Sequence, residues 1–156
     1  MIVVAVLGIL AAIVLPQYQS HATQARQAVA KNNLRTLRAA IELYPAQHKG
    51  IPPGYPIPSL DAVPGETSFS LQLTMATNAS GEAHPPGTPG CNFGPYMPRI
   101  PENPFNDRNT VLVIANNGAV PGEATGQYGW VYQPITKTIK LDWPGSDKDG
   151  TVYYDY

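Results

Sequence analysis

Residues 1–18 read MIVVAVLGILAAIVLPQY, and every residue from Met1 to Leu15 is apolar or glycine. The first full positive charge is Arg26. As a helix, residues 1–15 rise about 22 Å. This segment is shorter than the roughly 20 residues that a helix needs to cross a bilayer. The segment is apolar on all sides, whereas a helix on a domain surface carries a single apolar stripe. The pattern favours an apolar stem protruding from a body, with a buried core helix as the alternative.

Two residues within this stretch weaken it as a helix. Gly8 costs about 1 kcal/mol relative to alanine, and the ring of Pro16 removes one amide donor and clashes with the preceding turn. The segment from Gly8 to Pro16 is therefore predicted to be a helix that packing stabilises and that stretching can unfold. A simple proline kink is the alternative.

After Pro16 the pattern becomes amphipathic, because apolar residues recur every three or four positions. The first stripe comprises Tyr18, Ala22, Ala25 and Val29, and the second stripe comprises Ala30, Leu34, Leu37, Ile41 and Tyr44. The pattern predicts one helix to about Tyr44, ended or bent by Pro45, with Gly50 as the stop beyond it. A helix of about 45 residues is longer than a small domain is wide. We therefore predict a protruding stem at residues 1–24 and a globular domain at residues 25–156.

The remaining chain is rich in proline and glycine and predicts short elements joined by loops. A second helix is expected at residues 66–77, where apolar residues have helical spacing. Strands are expected at residues 110–115, 127–133 and 138–142, the last two as antiparallel neighbours across a hairpin-length loop. The tail is expected to add a fourth edge strand. The fold class is thus α+β, with a small antiparallel sheet packed on the second stripe.

Composition argues against several classes of function. The net charge is −1 and charged residues make up 13% of the chain, so no basic field neutralises phosphates and nucleic acid is not an expected partner. His21, His48 and His84 are isolated, and no metalloprotease, nucleophile-elbow or phosphate-loop motif occurs. Cys91 is the single cysteine, so it has no intramolecular disulfide partner and is interpreted as a packing residue. We predict no catalytic residue.

Two candidate sites for small ligands or modification remain. Asp142, Asp147 and Asp149 lie close together in a glycine-containing tail, which suits coordination of calcium by oxygen, although solvated turn residues are the favoured interpretation. Asn78 begins an Asn-Ala-Ser sequon, a candidate glycosylation site. The aromatic residues near the end of the chain are interpreted as packing rather than as a sugar-binding or subunit-contact surface.

The opening MIVVAVLGILAAIVLPQY, with the long polar helix after it, resembles the N-terminal helix of type IV pilins and of the pseudopilins of type II secretion. Further on, GPYMPRIPENPFN and GWVYQPITKTIKLDWPG look like the C-terminal domains of pseudopilin-G-like proteins. Gly8 and Pro16 match the helix-breaking glycine and proline of that family. The glutamate of the family motif would lie two residues before Met1. We expect further residues upstream; the alternative is that this protein departs from the family at a position used in subunit registration.

The resemblance implies a structural subunit, made with a basic leader, that a prepilin peptidase cuts and N-methylates. It would leave the inner membrane through an assembly machinery and form a homopolymer, an extracellular type IV pilus-like filament. Alternatives are a major pseudopilin in a periplasmic pseudopilus and a membrane-tethered binding domain. No cofactor is required, although calcium in the C-terminal loop fits the family. The expected membrane stem and filament core comprises Met1, Ile2, Val3, Val4, Ala5, Val6, Leu7, Gly8, Ile9, Leu10, Ala11, Ala12, Ile13, Val14, Leu15 and Pro16.

Overall fold

The computed structural model describes the backbone of residues 2–156 and the side chains of Val3 and of residues 21–156. The long helix α1 is followed by a short helix, five short strands and a final 3₁₀ turn. Their bounds are α1 Ile2–Gln47, α2 Glu66–Thr74, β1 Ala76–Thr77, β2 Ala83–His84, β3 Val111–Val113, β4 Trp130–Gln133, β5 Thr138–Leu141 and the 3₁₀ turn Tyr153–Asp155.

Helix α1 continues past Pro45, where the sequence predicted its end, and stops at Gln47. A proline removes its own amide bond to the residue four positions earlier and crowds that residue's carbonyl, and so near the last turn this disturbance is a small loss. The amides of His48 and Gly50 then donate to the carbonyl of Pro45 at 3.2 and 2.9 Å. Lys49 and Gly50 have φ angles of 56° and 79°, so the predicted stop at Gly50 is confirmed as a left-handed exit from the helix.

The main sheet has the order β3-β4-β5. Strands β4 and β5 are antiparallel, with Trp130 opposite Leu141, as predicted. Strand β3 instead pairs with β4 in parallel, with Val111 opposite Trp130. A long connection between β3 and β4 permits this parallel pairing, whereas a tight turn would impose the antiparallel one. The pilin-like α+β architecture is confirmed, with this one parallel pair inside the sheet.

The sheet packs on the second stripe of α1, as predicted. Leu34, Leu37 and Ile41 are buried in one cluster with alternate residues of the sheet. On the opposite face of the sheet, Ile114 and Val131 form a second cluster with Tyr154 and neighbouring loop residues. The sheet is therefore covered on both sides, and β4 is buried along its whole length.

Three shorter predictions differ from the structure. Helix α2 ends at Thr74 rather than at residue 77, because Met75 is extended and Thr77 exchanges two backbone hydrogen bonds with Phe93. Residues 76–77, predicted as the end of that helix, form β1, and β1 pairs with β2 inside a region predicted to be loop. The tail forms the 3₁₀ turn Tyr153–Asp155 and no fourth edge strand of the main sheet. Its aromatic side chains fold back onto the body, with Tyr153 and Tyr154 buried.

Candidate assembly surface

The two apolar stripes of α1 have opposite environments. Leu37 and Ile41 of the second stripe are fully buried. Ala22 and Ala25 of the first stripe are exposed, and Val29 remains 48% exposed. Burial along α1 begins at Ala30 in the part of the helix whose side chains are described. The body therefore covers only the second stripe.

The first stripe leads into a groove between α1 and the loop of residues 97–107. Arg26, Val29, Asn33 and Thr36 form the helical floor, on one face of α1 because their spacing is three or four residues. The groove has a volume of about 520 Å³. Its walls comprise Met97, Pro98, Arg99, Pro101, Glu102, Pro104 and Asp107. We call this cavity the α1 groove.

Hydrogen bonds from the core fix the wall of the α1 groove. The indole nitrogen of Trp130 donates to the carbonyl of Pro101 at 2.8 Å. From the floor, the side-chain amide of Asn33 donates to the carbonyl of Glu102 at 3.0 Å. Asn103, fully buried behind the wall, donates through its amide nitrogen to the carbonyl of Gly129 at 3.2 Å. The groove is thus a preformed feature of the folded subunit.

Charges in the α1 groove have no ionic partners among the described residues. The ion pairs among the described residues join Lys137 to Glu42 and Lys140 to Asp155, and both lie outside the groove. Glu102 and Asp107 are exposed on the wall. The floor contributes the cation Arg26, and the wall contributes a second cation, Arg99, so the lining holds two cations and two anions.

Asp142, the first predicted calcium ligand, is fully buried and already satisfied. Its carboxylate accepts the amides of Thr125, Gly126 and Tyr128 at 2.6, 3.1 and 2.9 Å. The hydroxyl of Thr125 donates a further bond at 2.8 Å. No local sequence pattern indicates this role, because the four donors come from a loop 14 to 17 residues earlier in the chain. Asp142 therefore holds the loop before β4 against the end of β5.

Asp147 and Asp149 lie in an exposed turn away from the bonds made by Asp142. The Asp147 carboxylate accepts the amides of Asp149 and Thr151, both at 2.9 Å, and the hydroxyl of Tyr156 at 2.9 Å. Desolvation opposes ionisation here, but these hydrogen bonds outweigh it and lower the pKa of Asp147. Across residues 21–156, no three His, Cys, Asp or Glu side chains gather as a metal site. Calcium binding stays a prediction from the sequence.

The remaining sequence candidates occupy ordinary structural positions. Asn78 is half-buried; its side-chain oxygen accepts the amides of Ser80 and Glu82, and its nitrogen donates to the Glu82 carboxylate at 2.6 Å. Glycosylation of Asn78 stays a prediction. Cys91 is a half-buried free thiol.

His48, which the sequence left unassigned, is a buried structural residue at the end of α1. Its Nδ1 lies 2.8 Å from the carbonyl of Tyr44, and its Nε2 lies 2.9 Å from the hydroxyl of Thr77. A carbonyl only accepts, so Nδ1 carries the proton and Nε2 accepts from Thr77. The ring stacks on Tyr44 with centroids 3.8 Å apart. Burial lowers the pKa of His48, against an opposing effect of backbone hydrogen bonds.

The predicted filament-core residues, Met1 to Pro16, fall largely outside the described side chains. Val3 is described and is 70% exposed. The backbone of residues 2–16 is helical, so whether the segment from Gly8 to Pro16 melts under tension stays a prediction. Among the described residues, no helix combines the length and apolar character needed to span a bilayer.

Comparison with known proteins finds a relative whose sequence is similar over most of this chain. Over 118 residues, the chain is 42% identical to the type II secretion system core protein G of Pseudomonas aeruginosa, covering 76% of this chain and 71% of the relative. No protein-family model matches the chain, and no solved structure does. A long helix carrying a small sheet on its second half agrees with this likeness. The chain belongs to the family of type II secretion system core protein G.

Proposed function

We propose that this chain is a structural subunit that polymerises through its apolar N-terminal helix into the pseudopilus of a type II secretion system. The single observation that carries the proposal is the 42% identity to a type II secretion system core protein G. That relative favours the secretion filament over the extracellular type IV pilus. The filament would lie in the periplasm and remain associated with the cell envelope.

The uncovered half of α1 supports this proposal. Its first stripe leaves Val29 48% exposed, although the same helix buries Leu37 completely. An apolar face that the subunit does not cover itself is suited to contact with other molecules. Stored in the membrane and then packed among neighbouring stems, residues 1–16 would exchange one apolar environment for another. Burial of several hundred Å² per subunit contributes on the order of 10 kcal/mol before ordering costs.

The chemistry of the body also suits a structural role. The buried polar side chains of Asp142 and His48 both form hydrogen bonds within the subunit. The polar groups of the α1 groove include the charged side chains of Arg26 and Glu102, which fit recognition of a partner. Polymerisation needs no catalytic group on the subunit, because repeated contacts that do not close generate a helix.

The proposal is tested by comparing one stem variant with one body variant in cells that carry the matching secretion genes. Leu10→Asp places a charge in the proposed filament core, and Leu71→Asp places the same charge at a position that is 42% exposed on α2. We expect Leu10→Asp to abolish both filament formation, seen by electron microscopy, and export of the secreted enzymes. Leu71→Asp should retain both.

Each alternative has a distinct result in the same experiment. The extracellular pilus would be favoured if the parent chain formed long surface fibres and if deletion of the chain left protein export undiminished. A protein that stays monomeric in detergent and in membranes, with normal export, would favour a tethered binding domain. Normal filaments and export from Leu10→Asp would overturn the proposed role of the stem.

A further inference from the structure

The C-terminal tail, residues 145–156, is fastened to the body by two buried aromatic side chains. Tyr153 lies in the apolar cluster that packs on α1, and Tyr154 lies in the cluster on the opposite face of the sheet. The hydroxyl of Tyr154 donates to the carbonyl of Pro121 at 2.9 Å. Burial on both faces of the sheet therefore fixes the tail to the body.

The same tail contacts three polar side chains along one face of α1. The amide nitrogen of Gln27 donates to the hydroxyl of Tyr153 at 3.0 Å. The Nζ atom of Lys31 lies 4.1 Å from the centre of the Tyr156 ring. Arg38 donates to the main-chain oxygen of Tyr156 at 2.6 Å. These contacts extend over 11 residues of helix, from position 27 to position 38, which is about 16 Å.

The two rings of the tail that contact α1 are coupled to each other. The centroids of Tyr153 and Tyr156 lie 5.4 Å apart, with an interplanar angle of 84°. The hydroxyl of Tyr156 donates to the Asp147 carboxylate at 2.9 Å, and the amide of Tyr153 donates to the carbonyl of Gly145 at 3.0 Å. The tail therefore meets the helix as one ordered unit.

We propose that the tail is a clamp that fixes the direction in which the first half of α1 leaves the body. The side of the clamp towards the stem consists of the Gln27 hydrogen bond and the cation–π contact of Lys31. The other side is stronger, because the Tyr153 ring is buried and because Arg38 also donates to the carbonyl of Ile139 in β5 at 3.3 Å. Lys31 is exposed and Gln27 is half-buried, so water competes for both contacts. The clamp therefore opens first on the side towards the stem.

Opening of the clamp shortens the part of α1 that the body holds. The helix would then be held from Ala30, the first buried position among the described side chains of α1, instead of from Gln27. From Gln27 the helical backbone continues for 25 residues to Ile2, about 37 Å. A small change of direction at the clamp becomes a large displacement at the apolar end. The tail is thus a conformational device that sets the orientation of the stem.

Hydrogen exchange of the unassembled full chain in detergent tests the clamp. Gln27→Ala removes the donor to Tyr153, and alanine is the better helix former, so propensity alone would slow exchange there. The matched control is Gln24→Ala, at an exposed position that makes none of the tail contacts among the described residues. We expect the amides of residues 27–31 to exchange about three- to tenfold faster in Gln27→Ala than in the parent. Gln24→Ala should exchange no faster than the parent, and residues 34–41 should be unchanged in both variants.

A second pair of variants removes one hydroxyl each from neighbouring tail residues. Tyr153→Phe deletes the acceptor of the Gln27 bond and keeps the buried ring, whereas Tyr154→Phe deletes the hydroxyl that donates to Pro121. Only Tyr153→Phe should accelerate exchange at residues 27–31. If it also accelerated residues 34–41, the core would be loosened, and the Gln27→Ala pair alone would decide.

Two results would overturn the clamp. One is a parental exchange rate at residues 27–31 in Gln27→Ala, or in Tyr153→Phe with an intact core. The other is an equal acceleration in either variant and its control. Because the protein is measured before assembly, neither result depends on polymerisation, and failure of the clamp leaves the proposed function standing.

Discussion

The two halves of α1 show how one helix serves two purposes. In the second half, Leu34, Leu37 and Ile41 are buried by the sheet. In the first half, Ala22, Ala25 and Val29 have similar helical spacing but remain exposed. Periodicity alone predicts an apolar face in both halves. It does not specify whether the same chain or another molecule covers that face.

The difference divides the helix by function. Residues after Ala30 anchor the body, which is further tied down by the buried polar groups of Asp142 and His48. Residues before Ala30 contribute nothing to the described apolar clusters. Substitutions in the second half should therefore act on folding, and substitutions in the first half should act on assembly.

The largest expected effect on stability comes from removing a core side chain in the buried half of α1. Leu37→Ala removes a fully buried side chain and should lower the free energy of unfolding by about 2–5 kcal/mol. Val29→Ala, in the exposed half, should change it by less than about 0.5 kcal/mol. Urea denaturation of both variants in detergent measures the difference. Equal losses would show that the body depends on both halves and would break the comparison.

A somewhat smaller loss is expected at Asp142, which strengthens the body far from the exposed half. Asp142→Asn replaces one acceptor oxygen by an NH₂ group that faces backbone donors. Leaving buried donors unpaired should cost on the order of 2–3 kcal/mol. Denaturation measures this loss, with the exposed Asp149→Asn as the control. If calcium stabilised the parent and Asp149→Asn but not Asp142→Asn, Asp142 would have a role in metal binding that its hydrogen bonds do not indicate.

The smallest effect is a pH dependence at His48. Its folded-state pKa lies below the ordinary value, first because of desolvation, so the neutral ring is favoured in the folded protein. The stability from the neutral ring is fully present above about pH 6.5 and is lost as pH falls through the folded-state pKa. Between about pH 7.5 and pH 5, the free energy of unfolding should fall less in His48→Gln than in the parent. The exposed His84→Gln should follow the parent; a parental slope in His48→Gln would contradict the assignment.

The sequence predicted those parts of the fold that local patterns determine. Helical spacing located both stripes of α1, and alternation located β4 and β5 with their hairpin. Three features depended on contacts distant in the chain. The parallel partner of β3 is reached through a long connection, the bonds of Asp142 come from residues 125–128, and the indole of Trp130 fixes Pro101 in the groove wall. No pattern within a short window contains that information.

The limits of local patterns were clearest at the ends of elements. Pro45 signals a helix end, but its lost bond falls so near the last turn that α1 extends to Gln47. Aspartates in a glycine-containing tail suggest a cation site, yet Asp142 and Asp147 each find donors of their own. The candidate assembly surface was predictable at Ala25 and Val29, because an apolar stripe on a protruding helix needs a cover. The α1 groove was not, since a proline-rich loop gives no periodic signal.

The most direct test of the division within α1 compares two alanines of the same helix. Ala25→Cys lies in the exposed half, and Ala40→Cys lies at a position that is 6% exposed in the body. Both are made with Cys91→Ser, and maleimide labelling is measured in detergent-dispersed protein and in assembled filaments. We predict rapid labelling at position 25 only in the dispersed protein and slow labelling at position 40 in both states. Equally rapid labelling at position 25 in filaments would contradict the claim that other copies cover the first half of the helix.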